Sequence, residues 1–407
     1  MRKFTLFLCI LLLLGLITAR TLYLKNEPAQ TASAVHPGYN LLDLNLSLAP
    51  ETAGSALLAE MNRYYLARTP TAKNEYTGLL EGKNLILICA DAWNPDPSDK
   101  DQSPTLHRLQ QEGAMFTNVY RPDWYQGTDG QEFALLTGVI PTNVNSKTAL
   151  IHTGEQSIYF PYSPARCLAQ AGYSSLVFYT DEDHCPAYEA LGFSLLVEAA
   201  HSDLETAENS LTALLESSPF FAYYIWSETD GEPALAALMR GLASLGLEDD
   251  TVICLLTAGP QEQRAQLFLW GEGLRGLTAT IPCSELDIVP TLLNLFGLDY
   301  DSRFLSGRDI FAPAGDSDQA SSLTPLVSLS GSAYSDWVTP AGNYLAGEQL
   351  FWQESRVLRD ADSITSYVNA VNRLVYDRYV FARRVMENNY FQLVLSSQDC
   401  TAGKNGV

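Results

Sequence analysis

A chain of 407 residues, 46% of them hydrophobic, is long enough to bury one large α/β core and a smaller appendage. Its 25 Lys and Arg against 47 Asp and Glu leave a formal net charge of −22. A surface that acidic repels phosphate backbones, which excludes nucleic acid as a partner and disfavours anionic lipid surfaces.

In chain order, Arg2-Lys3 precedes the apolar run FTLFLCILLLLGLITA, Phe4 to Ala19. Residues 1–25 therefore read as a transmembrane signal-anchor, and positive charge before the run favours an N-in orientation that puts the rest of the chain outside the cytoplasm. A cleaved signal peptide is the competing reading, but the small residues Ala32-Ser33-Ala34 lie far from the apolar run. Residues 26–80 are expected to form a juxtamembrane stalk, with one helical pattern near Ala56 to Leu66 that puts Leu57, Leu58, Met61 and Tyr65 on one face.

A globular domain is expected over 81–312. Asn84 to Cys89 is a continuous apolar run, the mark of a parallel strand buried on both faces. A helix over Pro104–Gln111 and a short strand over Ala114–Tyr120 follow. The alternation continues with helices near 166–172, 210–217 and 233–245, and strands near 174–179, 220–226 and 251–256. A strand at 266–270 and a helix at 287–296 close the domain. This rhythm predicts a doubly wound, mostly parallel sheet flanked by helices. After the polar stretch APAGDSDQASSL come short strands near 326–329, 335–339 and 350–352, then a long helical pattern from Ser363 to about Asn388. Residues 325–396 are thus expected to be a small C-terminal α+β subdomain.

The seven cysteines are scattered and show no C-x-x-C pair, so neither a zinc knuckle nor a thioredoxin-type site is indicated. Cys89 and Cys254 lie in apolar runs and read as buried thiols. Cys167 and Cys185 could pair in an oxidising compartment, which spacing alone does not establish.

Two stretches are placed to carry chemistry. KNLILICADA ends its strand on Asp91, and a carboxylate there can ligate a divalent metal, although a turn cap is at least as good a reading. WYQGTDGQEF puts Thr128 at the start of a helix, where a hydroxyl can attack phosphoryl or sulfuryl groups, although on this stretch alone an ordinary N-cap is the better reading of Thr128.

NEYTGLLEGKNLILICADAW, PTLHRLQQEGAMFTNVY, WYQGTDGQEFALLTGVIP, PCSELDIVPTLLNLFGLDYDSRFLSGRDIF and VNRLVYDRYVFARRVMENNYF, in that order, resemble the extracellular domain of lipoteichoic acid synthase-like proteins in the alkaline phosphatase/sulfatase superfamily. The resemblance implies an alkaline-phosphatase/sulfatase-like fold and a phosphoglycerol transferase activity with Mn2+ or Mg2+ as cofactor. It implies a metal held by Asp91, by the nucleophile Thr128 and by an Asp-His pair, with Trp124 and His184 as candidate substrate contacts. The pair should fall in TVICLLTAGP, where Ala258 and Gly259 stand instead, and neither side chain can ligate a metal. A further substrate histidine would fall near Thr229. Without a metal an alcohol is a weak nucleophile near neutral pH.

The leading expectation is an extracytoplasmic relative of glycerol-phosphate transferases, catalytically weak or inert, that acts in the cell envelope. Its partners would be an envelope glycolipid or polymer, or an active paralogue, together with the membrane through the N-terminal helix. The alternative is a working phosphoglycerol transferase, phosphodiesterase or sulfatase that uses Thr128 and ligands relocated to Glu228, Asp230, Asp181, Glu182 or His184. The remaining histidines, His36, His107, His152 and His201, show no ligand spacing. A bare adhesion or scaffold module has no positive feature in its favour. Ala258→Asp with Gly259→His is expected to raise metal affinity.

Overall fold

The computed structural model describes residues 38–42, 55–124, 127–259, 264–312, 324–326, 336–346, 348–353, 358 and 360–394. Its centre is a six-stranded sheet in the order β4-β3-β5-β1-β6-β7. The strands are β1 (Asn84–Ala90), β3 (Ser174–Tyr179), β4 (Leu195–Glu198), β5 (Phe220–Ile225), β6 (Thr251–Ala258) and β7 (Ala265–Trp270). All pairings are parallel except β6 with β7, which is antiparallel at one edge. The strand over Ala114–Tyr120 shortens to β2 (Met115–Phe116), which pairs in parallel with β8 (Thr278–Ala279).

The apolar run of β1 is needed because both of its faces are covered. Leu85, Leu87 and Cys89 join one core, and Ile86, Ile88 and Ala90 join the other. Helices α2 (Pro104–Glu112), α7 (Asp203–Glu216) and α8 (Glu232–Leu245) cover the second face. The first face is covered by α3 (Thr128–Thr137), α4 (Ala149–Gln156), α5 (Pro164–Gln170), α6 (Cys185–Leu191) and α9 (Ile288–Leu295). This is the doubly wound arrangement that the alternation predicts. The short edge strand β4 and helices α4 and α6 have no clear period in the sequence and emerge only in the fold.

Residues 55–80, expected to be a stalk, pack into the main body instead. Helix α1 (Ser55–Ala67) buries Met61 and Tyr65 completely or nearly so, in the core of the first face. Tyr65 stacks on Phe304 at 4.9 Å and on Tyr390 at 5.3 Å, and Tyr64 stacks on Phe381 at 3.7 Å. The face carrying Met61 and Tyr65 is thus a core face, and a lone amphipathic pattern does not say against what it packs.

The C-terminal part is a four-stranded sheet of β9 (Thr324–Leu326), β10 (Asp336–Thr339), β11 (Gly342–Leu345) and β12 (Leu350–Gln353), followed by α10 (Ala361–Asn388) and α11 (Tyr390–Val394). Helix α10 serves two cores. Val371 and Val375 pack with Trp337 of β10, while Phe381, Ala382, Val385 and Met386 join the main core. The described residues from Gly38 onward accordingly form one compact unit. The expected strand over 327–329 lies outside the described residues.

No disulfide joins Cys167 to Cys185, and the Cys167 thiol faces the Pro161 carbonyl at 3.5 Å. The expected anchor, residues 1–25, lies outside the described residues, and among those described no helix is long and apolar enough to cross a membrane.

Candidate functional site

In a doubly wound sheet the carboxyl ends of the central strands form the natural site. Here β1 and β6 end side by side, with Ala90 paired to Thr257. The next residues, Asp91 and Ala258, are therefore neighbours. The alternation of side chains puts both on the face of Leu85 and Val252, the face that α3 covers.

Gly259 is tightly enclosed. Its N–H donates to the Arg264 carbonyl at 3.0 Å. A Cβ at this position would lie 2.6 Å from the Arg264 carbonyl carbon and 2.7 Å from its oxygen. A histidine at 259 therefore requires the backbone to move.

Asp91 is already partnered. The guanidinium of Arg121 forms an ion pair with its carboxylate, and the Gln131 side chain hydrogen-bonds the same group. Burial raises the Asp91 pKa, and Arg121 and Gln131 oppose that rise by favouring the charged form. Gln131 lies one turn into α3, three residues after Thr128, so Thr128 begins the helix that closes over Asp91. The N-cap is Gly127, in a positive-φ conformation (φ 56°), so Thr128 is the first helical residue and not the cap. Its side chain is exposed.

His184 sits behind α3 and is 9% exposed. Its Nε2 is 3.5 Å from Asp129 and its Nδ1 is 3.8 Å from Glu132. Asp129 also accepts from the Thr148 hydroxyl at 2.8 Å, and Glu132 accepts from the Tyr188 hydroxyl at 2.7 Å. Burial pushes Glu132 up to about 8 against the pull of the Tyr188 hydrogen bond. His184 is a buried member of a network that fixes α3 against α6.

Trp124, the other expected substrate contact, is 5% exposed and gives its indole N–H to Glu285. Glu285 is fully buried, which pushes it up to about 8, and the charge of Arg121 pulls in the opposite direction. Both expected substrate contacts are therefore engaged within the protein. Arg121, Gln131, Glu132 and Glu285 were not singled out in the sequence, because each acquires its role from a partner distant in the chain.

The ligands considered for relocation are scattered. Glu228, Thr229 and Asp230 are exposed, and the Glu228 N–H caps onto Asp203 at 2.8 Å. Asp230 accepts from the Glu232 N–H at 3.2 Å, and Asp181 from the Asp183 N–H at 3.0 Å. Glu182 is exposed. Among the other histidines, His107 contacts the Pro97 carbonyl at 2.8 Å and His152 the Met386 carbonyl at 3.4 Å. His201 is exposed, and His36 lies outside the described residues. Among the described residues no three His, Cys, Asp or Glu side chains are grouped so that they could hold a metal ion. Among the described residues a divalent Mn2+ or Mg2+ does not fit the donor set: the Asp91 carboxylate is committed to an arginine, the Thr128 hydroxyl is exposed, and Ala258 and Gly259 offer a methyl and a hydrogen.

No family model matches the sequence. The chain is 21% identical to Lipoteichoic acid synthase 2 of Bacillus subtilis, in an alignment that covers 64% of this chain and 52% of that protein. It therefore spans about half the length of this curated relative. In the crystal structure of the lipoteichoic acid synthase LtaP from Listeria monocytogenes, 98% of the chain is matched by 81% of this one, with a TM-score of 0.61 and 16% identity. A protein in the alkaline phosphatase superfamily from Vibrio parahaemolyticus matches at a TM-score of 0.54 and 16% identity, over 79% of this chain and 91% of its own.

Proposed function

We propose, for a chain that has the lipoteichoic acid synthase-like fold of the alkaline phosphatase/sulfatase superfamily, that it is a catalytically weak or inert relative of glycerol-phosphate transferases. In this reading it acts in the cell envelope, anchored by residues 1–25 with its globular part outside the membrane. Its partner is an envelope glycolipid or polymer, or an active relative of similar fold. One observation carries the reading: beside Asp91, the end of β6 offers Ala258 and Gly259, which have no donor for a metal. Thr128 then has no metal to lower the pKa of its hydroxyl, and an alcohol without a metal or a base is a poor nucleophile.

The test is turnover of a fluorescent phosphatidylglycerol analogue by the full chain, with and without Mn2+. Turnover indistinguishable from the Thr128→Ala variant is expected. Turnover that disappears in both Thr128→Ala and Asp91→Ala would overturn the inert reading and establish the alternative, an active enzyme built on Thr128.

A further inference from the structure

At the former metal position this structure holds a charge of its own. Arg121 follows Tyr120, whose N–H donates to the Cys283 carbonyl at 2.8 Å and which bridges to Arg264, so the backbone is clamped immediately before the arginine. The Arg121 guanidinium pairs with Asp91, the first acid of the expected ligand set, and its charge also acts on buried Glu285. Gln131 of α3 hydrogen-bonds the same Asp91 carboxylate. An arginine is never neutral in a protein, and its planar fork matches a carboxylate.

We propose that Arg121 is the resident cation of this site. It takes over the electrostatic task of a divalent metal by neutralising Asp91, joins the end of β1 to the segment before α3, and by doing so excludes the metal. The inference rests on reading this end of the sheet as a former metal site, and it adds a cause to the loss of ligands. A metal would have to break the Asp91–Arg121 pair and would recover only the Thr128 hydroxyl. An added carboxylate at 258 would leave Asp91 still paired to the guanidinium, so Arg121 and not only Ala258 keeps metal out.

The experiment is titration of the full chain into Mn2+ while the electron paramagnetic resonance signal of the free ion is followed. Wild type and Ala258→Asp are expected to leave the signal unchanged at millimolar Mn2+. Arg121→Ala/Ala258→Asp is expected to remove it at one ion per chain, with an affinity at least ~10-fold above that of Ala258→Asp. The folding of each variant is checked by circular dichroism.

Mn2+ uptake by wild type or by Ala258→Asp overturns the proposal, as does a folded double variant that takes up none. If the double variant does not fold, Arg121→Gln/Ala258→Asp, which keeps a long polar side chain at 121 without the charge, is titrated in its place: Mn2+ uptake supports the proposal and a folded variant that takes up none overturns it. Lipid turnover without added metal would overturn the inert reading and leave this inference standing. Mn2+ uptake by wild type would overturn the inference whatever the turnover.

Discussion

The Tyr188 hydroxyl of α6 donates a 2.7 Å hydrogen bond to Glu132 of α3, and both side chains are buried. With the acid pushed up to about 8, Glu132 is largely protonated in the folded protein at neutral pH. Glu285 stands at about 8 for the same reason.

The pH dependence follows from linkage. Both acids have folded pKa values above the ordinary 4.5, so between about 4.5 and about 8 the folded chain holds protons that the unfolded chain has released. Their contribution to stability is complete below the unfolded pKa and is lost as pH rises through the folded one. The melting temperature is expected to fall between pH 5 and pH 8. Glu132→Gln and Glu285→Gln should each flatten that slope, because the neutral amide mimics the protonated acid. A slope unchanged in both variants would contradict this assignment.

Asp287 ties the late motif together. It is 4% exposed, and its carboxylate accepts from the Ser284 N–H at 2.9 Å and the Arg308 N–H at 2.8 Å. Asp287→Ala leaves two backbone donors unsatisfied and removes the charge that faces the half-buried Arg308. The expected loss is about 3–5 kcal/mol in urea unfolding. A loss below about 1 kcal/mol would mean that water or a neighbour replaces these bonds.

Gly307 lies against the same turn. A Cβ there would be 2.0 Å from the Leu286 carbonyl oxygen, which is backbone and cannot move aside cheaply. Gly307→Ala is expected to reduce soluble expression and lower the melting temperature markedly. An unchanged melt would show that the approach of 307 to 286 is looser than described.

Phe391 tests whether the C-terminal helices belong to the main core. It is 2% exposed and meets Phe304 at 5.7 Å, Tyr65 at 6.0 Å and Phe160 at 6.0 Å between ring centres. Phe391→Ala is expected to destabilise the single unfolding transition by about 3–5 kcal/mol. Trp352→Ala, at a side chain 60% exposed, should stay within about 0.5 kcal/mol of wild type. Two separate transitions in the Phe391 variant would argue for an independent C-terminal unit.

Much of the sheet was legible because buried parallel strands must be apolar on both faces, and Leu85 to Cys89 and Val252 to Leu256 can be little else. That Ala258 lies beside Asp91 follows from the register of β1 on β6, with Ala90 paired to Thr257. The destination of α1 was not, since Met61 and Tyr65 mark an apolar face without naming Phe304, Phe381 or Tyr390 as what covers it. The surroundings of Trp124 and His184 were hidden for a similar reason: the indole N–H meets Glu285, and the imidazole lies near Asp129 and Glu132, all distant in the chain or on another element.

The sequence by itself determined the βα alternation and the absence of ligating side chains at 258 and 259, because periodicity and residue identity are local properties. Only the tertiary structure decided that Arg121 reaches Asp91, that Glu132 is buried under Tyr188, and that a Cβ at 259 meets Arg264. Those are meetings of residues far apart in the chain. Burial, charge pairing and close approach come into being only when the strands and helices pack, and no local pattern encodes them.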